Sequence, residues 1–209
     1  MTSPSIWDSH RVGSDVLIRD AQPADAPLIA WDLETATGQM FSMMLGGRWE
    51  SVLTDVVSVP GHSWSIAQAR IAEVDGQPVG VLISGPAQLP APPDSLGLPW
   101  GWTRLRSTIV GIAFQPFLSF MKHHEPDEWY VTAVSVMPEA RGHGVGSALL
   151  RDATDQARAA GMSSLALDVD KDNETARRLY LREGFDLIAT SRAAWLAGGI
   201  RVQRMAKAL

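Results

Sequence analysis

WYVTAVSVMPEARGHGVGSALL, residues 129–150, reads as strand, glycine loop and helix in that order. Residues 129–136 are aromatic, β-branched or small, the composition of a largely buried strand, and Met137-Pro138 ends it. Arg141, Gly142, Gly144 and Gly146 follow, after which Val145, Leu149, Ala153 and Ala157 recur on one helical face. A strand that turns through glycines into a helix presents unpaired backbone N–H groups and the positive end of the helix dipole, an arrangement suited to an anion. Arg141 adds a fixed positive charge. By itself the pattern also fits a turn that is glycine-rich only to pack closely.

The downstream sequence sharpens the reading. Arg141-Gly-His143-Gly144-Val-Gly146 resembles the Arg/Gln-x-x-Gly-x-Gly/Ala signature of the GNAT superfamily of acyl-CoA N-acyltransferases. Residues 165–169 look like the strand that follows it, and NETARRLYLREGF, residues 173–185, looks like the family's second motif. The resemblance covers residues 128–185.

It implies acetyl-CoA as the acyl donor. The backbone of Gly142, His143, Gly144, Val145, Gly146 and Ser147, with the charge of Arg141, would hold the cofactor pyrophosphate. A backbone N–H among Val134, Ser135 and Val136 would polarise the thioester carbonyl, with this strand splayed from residues 165–169 so that the pantetheine arm lies between them. Tyr180 matches the family's proton donor, and a phenol pKa of about 10 is close to that of a thiol leaving group. The same tyrosine, between Leu179 and Phe185, also reads as a packing aromatic. Asn173 reads as a helix N-cap, and the resemblance adds contact with the pantetheine arm.

Family members often place the general base on the strand before the loop. Here that strand offers Tyr130, Thr132 and Val134 on one face, with Glu128 on the same parity one step earlier, so Glu128 is the expected base. Glu34, Glu50 and Asp55 are further candidates, and each of the four also reads as a solvated carboxylate.

Composition narrows the alternatives. The chain has 209 residues, 45% of them hydrophobic, enough for one sizeable core. Its net charge of −5 gives no basic surface for nucleic acid. Without cysteine there is neither a disulfide framework nor a sulfur nucleophile. None of His10, His62, His123, His124 and His143 makes a ligand spacing such as His-x-x-x-His, so no metal is expected. No leader pattern and no apolar run of about 18 residues is present, which predicts a cytoplasmic protein with no membrane partner.

Along the chain, residues 1–15 read as a loose tail and residues 16–209 as a single domain. Residues 16–20 form a short strand, and Pro23 and Asp25 open a helix with an apolar stripe at Ala26, Ile29, Ala30 and Leu33. Residues 39–59 suggest two short helices separated at Gly46-Gly47, which by the resemblance would line the acceptor pocket. Residues 66–74 and 79–84 flank Asp75-Gly76-Gln77 as a hairpin. Residues 85–124, proline-rich and then apolar with a helical pattern, read as an insertion that either caps the acceptor site or makes a homodimer contact. Residues 186–192 and 199–205 are the last strands, with a turn at 195–199. The resemblance implies an α+β fold: a GNAT-type mixed seven-stranded sheet flanked by about five helices, its central parallel pair splayed around the cofactor.

The expected function is transfer of an acetyl group from acetyl-CoA to a primary amine of a small molecule or peptide, by direct attack in a ternary complex. The first alternative is a module of the same fold that binds acyl-CoA without turnover. The second is a dinucleotide oxidoreductase, suggested by Gly142-x-Gly144 after a strand and by Asp168 at a later strand end. Ser147 at the third fingerprint position and the late placement in the chain oppose it.

Overall fold

Asp75-Gly76 turns the chain with both residues at positive φ, 52° and 73°, in a computed structural model that describes residues 16–92, 120, 124–192 and 201–209. Such a turn matches the twist of its flanking strands, so β2 (Ala69–Val74) and β3 (Gln77–Pro86) pair antiparallel. β3 runs through Gly85 and Pro86, past the strand end expected from the prolines. β1 (Leu17–Asp20) lies at the outer edge of β2, and β4 (Glu128–Val136) pairs antiparallel with the other edge of β3. β5 (Ser164–Asp170) runs parallel to β4, and β7 (Val202–Ala208) and β6 (Asp186–Thr190) complete the order β1-β2-β3-β4-β5-β7-β6. The mixed seven-stranded sheet with a central parallel pair is the one expected from the sequence.

Helices cover both faces. α1 (Ala26–Ala36), α2 (Met40–Leu45) and α3 (Trp49–Ser58) lie on one, where Ala26, Ile29, Ala30 and Leu33 are buried against Ile71, Val81, Ile83 and Ala133. Glu34 is used within this layer: its carboxylate accepts hydrogen bonds of 3.0 Å from the N–H groups of Phe41 and Ser42 and so caps α2. Glu50 and Asp55 are exposed on α3.

α4 (Val145–Ala159) and α5 (Glu174–Arg182) cover the opposite face, and Val145, Leu149, Ala153 and Ala157 are buried there as their spacing predicts. α4 rests almost on the β3 backbone. A Cβ on Gly80 would stand 3.1 Å from Val145 Cγ1 and 3.2 Å from Leu149 Cδ1. Arg70 of β2 forks onto Asp152 of α4 at 2.9 and 3.0 Å, which fixes the helix along the sheet. The N-terminal tail, most of the insertion and the turn at 195–199 lie outside the described residues. Among those described, no helix is long and apolar enough to cross a membrane.

Candidate active site

β4 carries an irregularity that the alternation of its side chains conceals. Ile83 pairs with Ala133 but Ser84 pairs with Val131, so Thr132 is an extra residue, a β-bulge. Before it, Trp129 and Val131 face the α4 side of the sheet. After it, Val134 and Val136 do, while Ala133 packs under α1 and Ser135 faces Asp32. The parity therefore flips. The face that holds Glu128 and Tyr130 continues with Ala133 and Ser135 in place of Thr132 and Val134.

At the same point β4 parts from β5. Their pairing runs from Glu128 opposite Ser164 to Val131 opposite Leu167 and stops. Residues 165–167 are therefore still paired, and the splay expected from residue 165 onward begins only at Asp168. Met137 N–H donates to Val79 O at 2.9 Å, and strand alternation then turns the N–H groups of Val134 and Val136 away from β3, into the opening. A cavity of about 500 Å³ fills it, bordered by the end of α1 (Thr35, Gly38), β4 (Thr132, Val134), Asp168 and Tyr180.

β4 leads from this cleft into the glycine loop. Gly142 and Gly144 sit at φ 80° and 83°, a region that side chains with a Cβ avoid, and Gly144 is the N-cap of α4. The first hydrogen bond across Gly144 runs from Ala148 N–H to Gly144 O, so the N–H groups of Val145, Gly146 and Ser147 precede the helical ladder. Gly146 has a different reason to lack a side chain: a Cβ there would lie 2.9 Å from Leu179 Cδ2 of α5. Arg141 is exposed, with Nε donating to Val136 O at 3.1 Å, and His143 is half-buried within the loop.

Tyr180 lies on the buried face of α5, 6% exposed, its ring 5.9 Å from that of Phe185. It packs and lines the cavity at once. Burial, and then the nearby carboxylate of Asp32, hold its phenol well above the ordinary value, so the hydroxyl keeps its proton at neutral pH. Asn173 caps α5, its side-chain oxygen accepting from Ala176 N–H at 3.1 Å, and it also borders the cavity.

Glu128 is elsewhere. It is buried at the start of β4, with Oε1 2.8 Å from His124 Nδ1, and is not among the residues that line the cavity. It belongs to a polar cluster on the same sheet face, in which Tyr130 donates to Asp168 at 2.9 Å and Arg204 donates to both Asp168 oxygens at 3.1 and 2.9 Å. The Arg204 guanidinium also stacks over the rings of Phe120 and Tyr130 at 5.6 Å. Burial and the Asp168 charge raise the Tyr130 phenol well above its usual value.

Behind the cleft wall lies a buried carboxylate that is not among the candidate bases of the sequence. Asp32, on the core side of α1, is 0% exposed, and neither of its oxygens has a hydrogen-bond partner. Burial lifts its pKa from 3.8 to about 7, with the Ser135 hydroxyl acting in the opposite direction. The two groups face each other without closing a hydrogen bond, since Ser135 Oγ has no partner either. The signal was present in the sequence: Asp32 is three residues after Ile29 and adjacent to Leu33, inside the apolar stripe of α1.

This geometry has known counterparts. An acetyltransferase crystal structure superposes with a TM-score of 0.63 at 23% identity, over 92% of this chain and 98% of that one. An N-acetyltransferase from Staphylococcus aureus Mu50 gives 0.63 at 16% identity, over 91% and 99%. The ribosomal-protein-S18-alanine N-acetyltransferase of Escherichia coli gives 0.53 at 16%, over 93% and 94%. At these identities the likeness is one of fold.

In sequence, 96 residues are 36% identical to an uncharacterized protein of Mycobacterium leprae (strain TN), covering 46% of this chain and 25% of that protein. The chain thus spans about a quarter of the length of the curated relative it matches. The family model described as the acetyltransferase (GNAT) family matches residues 60–185, which include the hairpin, β4, the glycine loop and the helix of Tyr180. The chain belongs to the GNAT acetyltransferase family.

Proposed function

We propose that the chain transfers an acetyl group from acetyl-CoA to a primary amine of a small molecule or peptide, by direct attack while both are bound. One observation carries the reading: the bulge at Thr132 opens β4 from β5 over a cavity that contains Tyr180, and the same strand leads directly into the free amides of α4. The donor supplies an activated acyl thioester. Val145, Gly146 and Ser147 N–H groups, with the helix dipole and Arg141, suit its diphosphate.

Val134 or Val136 N–H, aimed into the opening, suits the oxygen that becomes negative as the carbonyl is attacked. Asn173 spends its oxygen on the α5 cap, which leaves its NH2 donors for the pantetheine amides. Tyr180, held protonated by its surroundings, gives a proton to the departing sulfur. Asp170 and Asp172 border the cavity and suit an acceptor that arrives as a cation. A cytoplasmic homodimer is part of the same proposal, and sizing chromatography of the full chain reads its oligomeric half.

The test is thiol release from acetyl-CoA in the presence of an alkyl diamine, an aromatic ethylamine and a peptide with a free α-amino group, alongside calorimetry of acetyl-CoA alone. Turnover of any of these amines supports the reading. Heat of binding with no thiol release supports the non-catalytic module, and no binding heat removes both.

A further inference from the structure

We propose that Asp32 is the proton partner of Tyr180: it collects the proton that the acceptor nitrogen gives up and passes it to the tyrosine, a reading that rests on the acetyl-transfer function above. Asp32 occupies a place in α1 where its neighbours Ile29 and Leu33 are core residues. A carboxylate removed from water without a hydrogen bond is costly, and buried carboxylates are normally held by a partner. The other buried acids of the described residues obey that rule. Asp25 takes Arg19 and the Gln22 amide, Glu34 takes the start of α2, and Glu128 takes His124. The Asp168 side chain, also buried, takes Tyr130 and Arg204. Asp32 alone among them has both oxygens unpaired.

Its position explains why. Thr35 and Ala36, one turn further along α1, line the cavity, as do Ala133 and Val134 beside Ser135, so Asp32 stands directly behind the wall that faces Tyr180. The Ser135 hydroxyl from β4 lies against it, and its charge is felt at the Tyr180 phenol of α5. Among the described residues no cation is recorded against it.

The coupling has a useful sign. While Asp32 is ionised its charge helps to keep the proton on Tyr180. When Asp32 takes up a proton that charge vanishes, and the phenol becomes a readier acid at the moment the sulfur needs one. The balance closes. A cationic acceptor first releases one proton to solvent; as the neutral nitrogen then forms the C–N bond, its proton passes through the cleft to Asp32; as the C–S bond breaks, the Tyr180 O–H proton goes to sulfur; the proton on Asp32 then returns to the phenolate. One proton has moved from nitrogen to sulfur, and both side chains are restored. Asp32 takes up and returns one proton in this scheme and works together with Tyr180.

The experiment compares wild type, Asp32→Asn, Tyr180→Phe and the double variant across pH 5 to 9, using acetyl-CoA and whichever panel amine the wild type acetylates. Asp32→Asn should lower kcat by about tenfold or more, leave calorimetric acetyl-CoA affinity within about twofold, and remove the rise of kcat/KM near neutral pH. The double variant should be no slower than Tyr180→Phe alone, because the two residues serve one proton path.

Wild-type kcat with an unchanged pH profile in Asp32→Asn, or additive losses in the double variant, overturns the proposal and leaves acetyl transfer standing. Wild-type protein that releases no thiol overturns the functional reading and this one with it. Carboxyl-carbon NMR of aspartate-labelled wild type works whether or not Asp32→Asn folds. One side chain titrating near neutral pH is the expected result, and none doing so overturns the proposal.

Discussion

Two buried carboxylates stand at the cleft, Asp168 in its lining and Asp32 behind its wall, and they are treated in opposite ways. Asp168 on β5 receives three hydrogen bonds, one from the Tyr130 hydroxyl and two from the Arg204 guanidinium, so every part of its charge is answered. Asp32 on α1, more deeply buried than most of the core, receives none. Partnering ties the first to its neighbours as part of the wall. Isolation leaves the second poised between two protonation states. The difference teaches that burial alone does not assign a role to a carboxylate; what it is denied or granted in hydrogen bonds does.

Tyr180→Phe is the sharpest way to probe the unpaired side, since it removes the proposed proton donor while keeping the ring against Phe185. A fall in kcat of about 10²- to 10⁴-fold is expected, with acetyl-CoA affinity nearly unchanged, as read by steady-state kinetics and calorimetry. Undiminished turnover removes the phenol from the chemistry.

Arg204→Met probes the paired side and should act on stability. It strands the Asp168 charge, and denaturant unfolding at neutral pH should show a loss of about 3 to 5 kcal/mol, the size expected when one member of a buried ion pair is deleted. A loss under about 1 kcal/mol would show that the network is wetter than its geometry indicates.

The pH dependence of stability separates the two walls next. The folded-state pKa of Asp32 is raised from 3.8 to about 7. Folded protein therefore keeps a proton that unfolded protein releases between those values, so wild-type stability is highest at low pH on this account and falls as pH rises towards 7. The full difference is on the order of 4 kcal/mol. Asp32→Asn lacks that slope and should gain on wild type as pH rises through the same window. Parallel stability curves would contradict the assignment.

Gly144→Ala has the smallest expected effect and lies away from both carboxylates. Its φ of 83° costs a side chain about 1 to 2 kcal/mol, and the distortion falls on the first amides of α4, so acetyl-CoA binding should weaken by about tenfold with the acceptor KM little changed.

Much of this was legible in the chain. Apolar spacing placed α4 and the stripe of α1, Asp75-Gly76 placed the hairpin, and three glycines after a strand placed the turn into α4, because each of those signals is local. The active-site wall was not legible for a local reason too. One inserted residue, Thr132, moves Ala133 and Ser135 onto the face that strict alternation gives to Thr132 and Val134, and no periodicity reports a bulge. Glu128 shares a face with Tyr130, but parity carries no information on distance along the strand, and its carboxylate meets His124 instead of the cavity. Asp32 was visible as a charge within an apolar stripe, but only the packed structure shows that nothing pairs with it.

A crystal structure of the chain with acetyl-CoA tests the central claim most directly. The diphosphate should lie on the amides of residues 145–147, the thioester oxygen on the N–H of Val134 or Val136, and the sulfur within hydrogen-bond reach of the Tyr180 hydroxyl. A nucleotide bound elsewhere, or a sulfur remote from Tyr180 with the cleft between β4 and β5 closed, would contradict it.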